Sequence, residues 1–172
     1  VDVTIIDNDV EMIRSAGTFG FKIYYGDGTR LDVLRASGAD HAQVIAVCID
    51  NKEAANRIVE LAKSEFGQAK LLVRSYDREH SLELINAGVD VQVRETFESA
   101  IRFGHHALCQ LGVPKDDALE IVEEVRRRDA ERVQLELAEG LRAGTRLLTG
   151  NVAHGPTPTP FTRPRTAATP LT

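Results

Sequence analysis

The stretch Gln43-Val44-Ile45-Ala46-Val47-Cys48-Ile49-Asp50-Asn51 decides the fold. An almost unbroken apolar run cut off by a carboxylate and an amide reads as a strand buried on both faces, the kind found in parallel sheets. A helix follows it through Ile58, Leu61 and Ala62. Upstream the same unit occurs twice. Val1-Asp2-Val3-Thr4-Ile5-Ile6 is a strand that stops at Asp7-Asn8-Asp9, with a helix over 10–16 closed by Gly17. Phe21-Lys22-Ile23-Tyr24-Tyr25 is a second strand, broken by Gly26-Asp27-Gly28-Thr29, and Leu31, Leu34 and Arg35 fit a short helix ending near Gly38. Downstream, 69–74 makes a fourth strand, Asp77 caps a helix carrying Leu82, Leu84 and Ile85, and Gly88 closes it before a short fifth strand at 89–93. Such alternation predicts parallel strands joined by right-handed helical crossovers: an α/β, Rossmann-like, doubly wound sheet.

From Thr96 the rhythm changes. One helix runs to about Leu111 and, past Gly112-Val113-Pro114, a second runs from Asp116 towards Glu139. The apolar face of the second, Ala118, Ile121, Val122 and Val125, pauses at Arg126-Arg127-Arg128-Asp129 and resumes at Val133 and Leu137. The arginine run reads as a solvated face offset by Glu123, Glu124 and Glu131. The last 22 residues hold five of the six prolines and no acidic residue, which predicts a disordered tail. The expected organisation is a Rossmann-like domain over 1–112, a helical extension over 113–148 and a Pro/Thr-rich tail over 149–172.

Composition bounds the function. The chain has 172 residues, 42% apolar, with a formal net charge of −5, enough for one domain with a real core. An acidic balance gives no general electrostatic reason to bind nucleic acid. Cys48 and Cys109 lie far apart with no CxxC pair, so neither a zinc ribbon nor a disulfide scaffold is expected, and a reducing compartment is. No apolar run approaches the ~20 residues that span a bilayer. The chain opens at Val1 and enters a strand almost at once, which suggests a fragment whose start lies upstream.

In open α/β sheets ligands bind beyond the carboxyl ends of the strands. Four predicted strand ends carry suitable groups: Asp7-Asn8-Asp9, Gly26-Asp27-Gly28-Thr29, Asp50-Asn51, and Arg74 with Ser75. A strand-end carboxylate can accept both hydroxyls of a ribose, and Asp7 is the candidate. Asn8 adjoins it. Gly26 and Gly28 let backbone approach a ligand, and Thr29 offers a hydroxyl beside a helix start, where free amides favour an anion. Asp50 and Asn51 suit a base or second sugar, while Arg74 can reach a phosphate. Each of these residues also has an ordinary use, since Asp7, Asn8, Asp9, Asn51 and Asp77 are common helix caps and Asp27-Gly28 a common turn. What raises the functional reading is their shared placement. A GxGxxG loop, expected ~20 residues before the ribose acid, is not in this sequence. A fold lacking its first strand and glycine loop accounts for that.

Other chemistries find less support. GxSxG, HExxH and GxxxxGK[ST] are absent, and no catalytic residue or metal ligand is expected. His105 and His106 are adjacent, so on a helix they point roughly 100° apart and cannot clasp one metal. With no substrate domain in view, an NAD-dependent oxidoreductase is the weaker alternative.

Tyr24-Tyr25-Gly26-Asp27-Gly28-Thr29, Ile49-Asp50-Asn51, Arg74-Ser75-Tyr76-Asp77, and above all Ala87-Gly88-Val89 followed by Arg94-Glu95-Thr96-Phe97-Glu98-Ser99-Ala100 resemble the cytoplasmic RCK (KTN, TrkA-N) domain of Kef-type potassium efflux systems. The resemblance covers about residues 1–139. It implies a regulatory domain that hangs from a monovalent cation:proton antiporter membrane domain on the same polypeptide. It also implies a homodimer, at the cytoplasmic face of the bacterial inner membrane, that binds AMP or NAD(H) and gates transport. By position Asp7 would hold the ribose, Asp27 and Thr29 would lie near the phosphate, and Asp50, Asn51 and Arg74 would line the adenosine site. A free-standing Trk-type potassium-uptake subunit is the alternative within the resemblance. The Kef glutathione site departs here: an arginine of the family is replaced by His105 and an asparagine by Asp129. Loss of a permanent cation and gain of a carboxylate both remove attraction for an anionic tripeptide, so nucleotide sensing is expected and glutathione gating is doubtful.

Overall fold

A computed structural model describes residues 2–20, 22–141 and 143. The expected tail over 149–172, and most of the stretch 140–148 before it, lie outside them. In chain order the elements are β1 (Thr4–Asp7), α1 (Val10–Gly17), β2 (Lys22–Tyr25), α2 (Leu31–Ala36), a 3-10 turn (Ala39–His41), β3 (Val44–Val47), α3 (Lys52–Glu65), β4 (Lys70–Ser75), α4 (Arg78–Asn86), β5 (Val91–Arg94), α5 (Glu95–Gln110) and α6 (Lys115–Glu139). They fall into two compact units, 1–98 and 99–172.

Short polar side chains start α1, α3 and α4. Asp9 accepts from the amides of Glu11 and Met12 at 2.8 and 3.3 Å, Asn51 from Ala54 at 2.7 Å, and Asp77 from His80 at 2.7 Å. Each satisfies amides that have no partner inside the helix. Gly88 ends α4 at a φ of 73°, a conformation that costs a residue with a Cβ. All pairings are parallel, with Asp7 opposite Tyr25, Val47 opposite Val73 and Ser75 opposite Arg94. The parallel α/β class expected from the alternation is what the chain forms.

The strands make two sheets, β1-β2 and β3-β4-β5. In the doubly wound order 3-2-1-4-5-6, β2 and β1 match places 3 and 2, and β3, β4 and β5 match places 4, 5 and 6. Among the described residues no strand stands between β1 and β3. One expectation fails here. β3 is not buried on both faces: Val47 is 4% exposed, but Val44 is 52% exposed. With no partner among the described residues on its edge away from β4, β3 stands at the end of its sheet and lacks the cover a central strand receives.

The core lies where α3 crosses β4. Ala55, Ile58, Val59, Leu61 and Ala62 of α3 join Leu71 and Val73 of β4, Val47, Phe66 and Leu84, with Leu34 and Ala39 closing one side. Ile6 of β1 and Ile45 of β3 pack against this one cluster, so both sheets share a core. In the second unit, Ala118, Val122 and Val133 make the buried stripe of α6. On its exposed face Arg127 pairs with Glu124 at 2.7 Å and Glu131 at 2.5 Å, and Arg128 pairs with Glu124 at 2.6 Å. The arginine run is therefore a charge-compensated helix face, as its spacing suggested.

Candidate functional site

The predicted site residues of the first unit gather at the carboxyl ends of the strands in two groups. The first is built on β1 and β2. The Gly26 amide donates to the Asp7 carbonyl at 2.9 Å, extending the β1-β2 ladder by one rung. Asp7 turns its carboxylate onto its own loop, where Oδ1 accepts the Asp9 amide at 2.8 Å. Asn8 lies between them, exposed. Asp27 closes the next loop in the same way, Oδ1 accepting the Thr29 amide at 2.8 Å and the Thr29 hydroxyl at 2.7 Å. Those two bonds, the hydroxyl first, hold the Asp27 carboxyl below the usual carboxylate range. The Thr29 hydroxyl proton is thus committed to Asp27, which leaves its oxygen lone pairs for a ligand.

Close packing bears on the first of the two glycines of this loop more than on the second. A Cβ on Gly26 would stand 2.8 Å from Cγ1 of Val33, and one on Gly28 would stand 3.4 Å from Cδ1 of Ile58. Gly26→Ala is expected to lower stability by about 1–3 kcal/mol, because the β-branched valine is stiff at χ1 and must shift to make room. Gly28→Ala, at ordinary contact distance, is expected to cost less, and urea unfolding of both variants measures the difference.

The second group is built on β3, β4 and β5 around one guanidinium. Arg74 donates from Nη1 to Glu95 Oε2 at 2.5 Å and from Nη2 to the Cys48 carbonyl at 2.9 Å, and it also pairs with Asp50. Glu95 and Asp50 raise its already high pKa, the Glu95 hydrogen bond most. The fork therefore ties the end of β3 to the first residue of α5. Asn51 is committed to capping α3. Ile49, Asp50, Arg74, Ser75, Tyr76, Glu95 and Thr96 line an open cleft of about 350 Å³, near the lower size of small-molecule sites. Its charged lining residues are Asp50, Arg74 and Glu95, so the mouth offers two carboxylates as acceptors and one cation between them.

Some expectations need revision. Arg74, expected to reach a phosphate, has its guanidinium shared by two carboxylates and a carbonyl, so an anion must compete for it. The two groups share no hydrogen bond or ion pair among the described residues. His105 and His106 contact each other edge-on at 5.7 Å on α5, and Asp129 lies on α6. Glu95, Tyr76 and Thr96 complete the cleft without having been singled out as site residues. Applying the strand-end test to the fifth strand finds Glu95 at once, since it directly follows Arg94.

Parallel strands joined by capped helices, with acceptor groups and a cleft at the carboxyl ends, define a Rossmann-like α/β domain. The TrkA-N domain model matches residues 1–95, and the chain belongs to that family. A Haemophilus influenzae relative, named as a glutathione-regulated potassium-efflux system protein, is 44% identical over 140 residues, covering 81% of this chain and 23% of the relative. The chain thus spans less than a quarter of that protein's length. Among solved structures, the Shewanella denitrificans Kef CTD in AMP-bound form matches with a TM-score of 0.67 at 30% identity, over 78% of this chain and 96% of that one. The GsuK channel bound to NAD matches with a TM-score of 0.53 at 19% identity over 59% of this chain and 18% of that one, a likeness of fold. No helix among the described residues is long and apolar enough to cross a membrane.

Proposed function

We propose that this chain is the regulatory nucleotide-binding part of a Kef-type potassium efflux protein, with AMP or NAD(H) as its ligand and no catalysis of its own. The single observation that carries this reading is the match to an AMP-bound Kef domain over 96% of that domain's length. In the fuller form of the reading, the membrane part is a monovalent cation:proton antiporter on the same polypeptide. The domain works as a homodimer at the cytoplasmic face. Relatives named for potassium efflux favour this over a Trk-type uptake subunit. Asp7 takes the ribose hydroxyls, Gly26 to Thr29 border the phosphate, and Asp50, Asn51 and Arg74 line the base side. Glutathione is left out because the family resemblance sets His105 and Asp129 against a permanent cation and an amide of its site.

A ligand that binds only the folded state raises its melting point by mass action. At a hundred times its dissociation constant, AMP or NADH contributes about 2.7 kcal/mol, a rise of several degrees for a domain this size. Asp7→Ala is expected to remove most of that rise, and reduced glutathione is expected to produce none. Equal shifts for the wild type and Asp7→Ala would sink the ribose assignment. No shift with either nucleotide would sink the reading itself.

A further inference from the structure

His80, the third residue of α4, is a buried imidazole with a single possible proton arrangement. It is 1% exposed. Its Nδ1 lies 3.0 Å from the backbone nitrogen of Tyr76, and a backbone N–H can only donate. Nδ1 therefore carries the lone pair and Nε2 the proton, which is donated to Asn56 Oδ1 at 2.9 Å. The Asn56 amide is oriented in turn, Nδ2 donating to Glu83 Oε2 at 3.3 Å. Glu83 Oε1 is held by Lys52 at 2.9 Å. One bond to the Tyr76 amide thus sets donor and acceptor along the relay from His80 through Asn56 to Glu83.

The residue pinned at the start of this relay lines the cleft. Tyr76 follows Arg74 and Ser75 at the end of β4, and its side chain is largely exposed beside Asp50 and Glu95. We propose that His80 is a positioning residue for the strand-end cleft: as the neutral Nε2–H tautomer it holds the Ser75–Tyr76 turn in place, and its protonation in acid releases Tyr76 and weakens ligand binding. The proposal rests on the nucleotide-binding reading for its ligand. A second proton would sit on Nδ1 and face the Tyr76 N–H, donor against donor.

The charged groups around the ring work in both directions. Asp77 before α4, Glu83 on α4 and Glu53 on α3 favour the imidazolium, while Lys52 on α3 opposes it. Burial, the largest influence, also opposes it and holds the imidazole below the ordinary histidine value of 6.5. The sign follows. The contribution of neutral His80 is complete above that ordinary value and is lost as pH falls through the lower folded one.

Two measurements on the full chain test the device. Imidazole 15N spectra near neutral pH are expected to show protonated Nε2 and bare Nδ1 at His80, with the Tyr76 amide shifting along the His80 titration curve in acid. An Nδ1–H tautomer, or a Tyr76 amide indifferent to that titration, would overturn the proposal whether or not any nucleotide binds. AMP and NADH affinities are then compared between about pH 7.5 and roughly one unit below the His80 midpoint that those spectra give, in wild type and His80→Asn, whose Oδ1 supplies the same acceptor without titrating. Wild type is expected to lose about tenfold more affinity than the variant across that range. Titration of the nucleotide phosphate cancels in the comparison. Parallel slopes would overturn the proposal. If neither nucleotide binds at any pH while the spectra behave as expected, the His80 pin stands and the ligand reading falls. Should His80→Asn fail to fold, the wild-type spectra decide alone.

Discussion

Phe66→Ala is expected to destabilise the chain by about 3–5 kcal/mol, a large part of the ~5–15 kcal/mol by which domains are usually stable. Phe66 is 1% exposed and is among the largest fully buried side chains. It sits at the junction where α3 turns into β4. Its amide closes α3 onto the Ala62 carbonyl at 2.9 Å, and its own carbonyl accepts the Ala69 amide at 2.9 Å. Its ring belongs to the cluster that α3, β4 and Leu84 form together. Truncation removes the apolar contacts and leaves a cavity that backbone held by two turn hydrogen bonds cannot collapse to fill. Phe19→Ala is the control: that ring is 77% exposed, and its loss is expected to stay within about 0.5 kcal/mol. Urea unfolding followed by circular dichroism reads both. A Phe66 loss below about 1 kcal/mol would mean that the core assigned to α3 and β4 is not the one holding the fold.

The elements most legible in the sequence were those punctuated at both ends. Asp77 and Gly88 bracket α4 and Asn51 starts α3, because caps and a left-handed glycine act within a turn and leave a local signature. Burial on a sheet is a different matter. Val44 belongs to an apolar run that reads as central strand, yet its exposure depends on which strands pair with β3, a long-range fact that no local pattern contains. The site divides along the same line. Asp7, Asp27 and Asp50 stand out in the sequence as candidates because they lie at or just beyond strand ends. Glu95 ends one too, but it also begins α5, and only the Arg74 fork reveals that it faces Asp50 across the cleft. His80 gave no signal at all, since a histidine at that place in a helix is ordinary until a backbone amide four residues earlier is seen pointing at its ring.

Arg74→Met separates the two things this fork can do. If Arg74 served mainly to hold the fold together, its removal would appear in unfolding. That effect is expected to be small, about 1 kcal/mol or less, because its partners are open to water: Asp50 is 91% exposed and Glu95 57%. Its influence on a bound nucleotide is expected to be larger. Without the guanidinium, Asp50 and Glu95 face each other across the mouth with no cation between them, and the cleft changes from one net negative charge to two. A charge-assisted hydrogen bond is lost and an anionic ligand meets uncompensated carboxylates, so AMP affinity is expected to fall roughly ten- to hundredfold. Arg74→Lys keeps the charge but not the fork, and intermediate affinity is expected because an ammonium cannot span Asp50, Glu95 and the Cys48 carbonyl together. Adding Glu95→Gln to Arg74→Met removes one of the stranded carboxylates and is expected to recover part of the loss, a coupling that isothermal titration of the four proteins reads as a double-mutant cycle. Additive losses would place Arg74 on the ligand alone. Recovery places it between the carboxylates, where a nucleotide entering the cleft must compete with Glu95 for the same guanidinium and so acts directly on the first residue of α5.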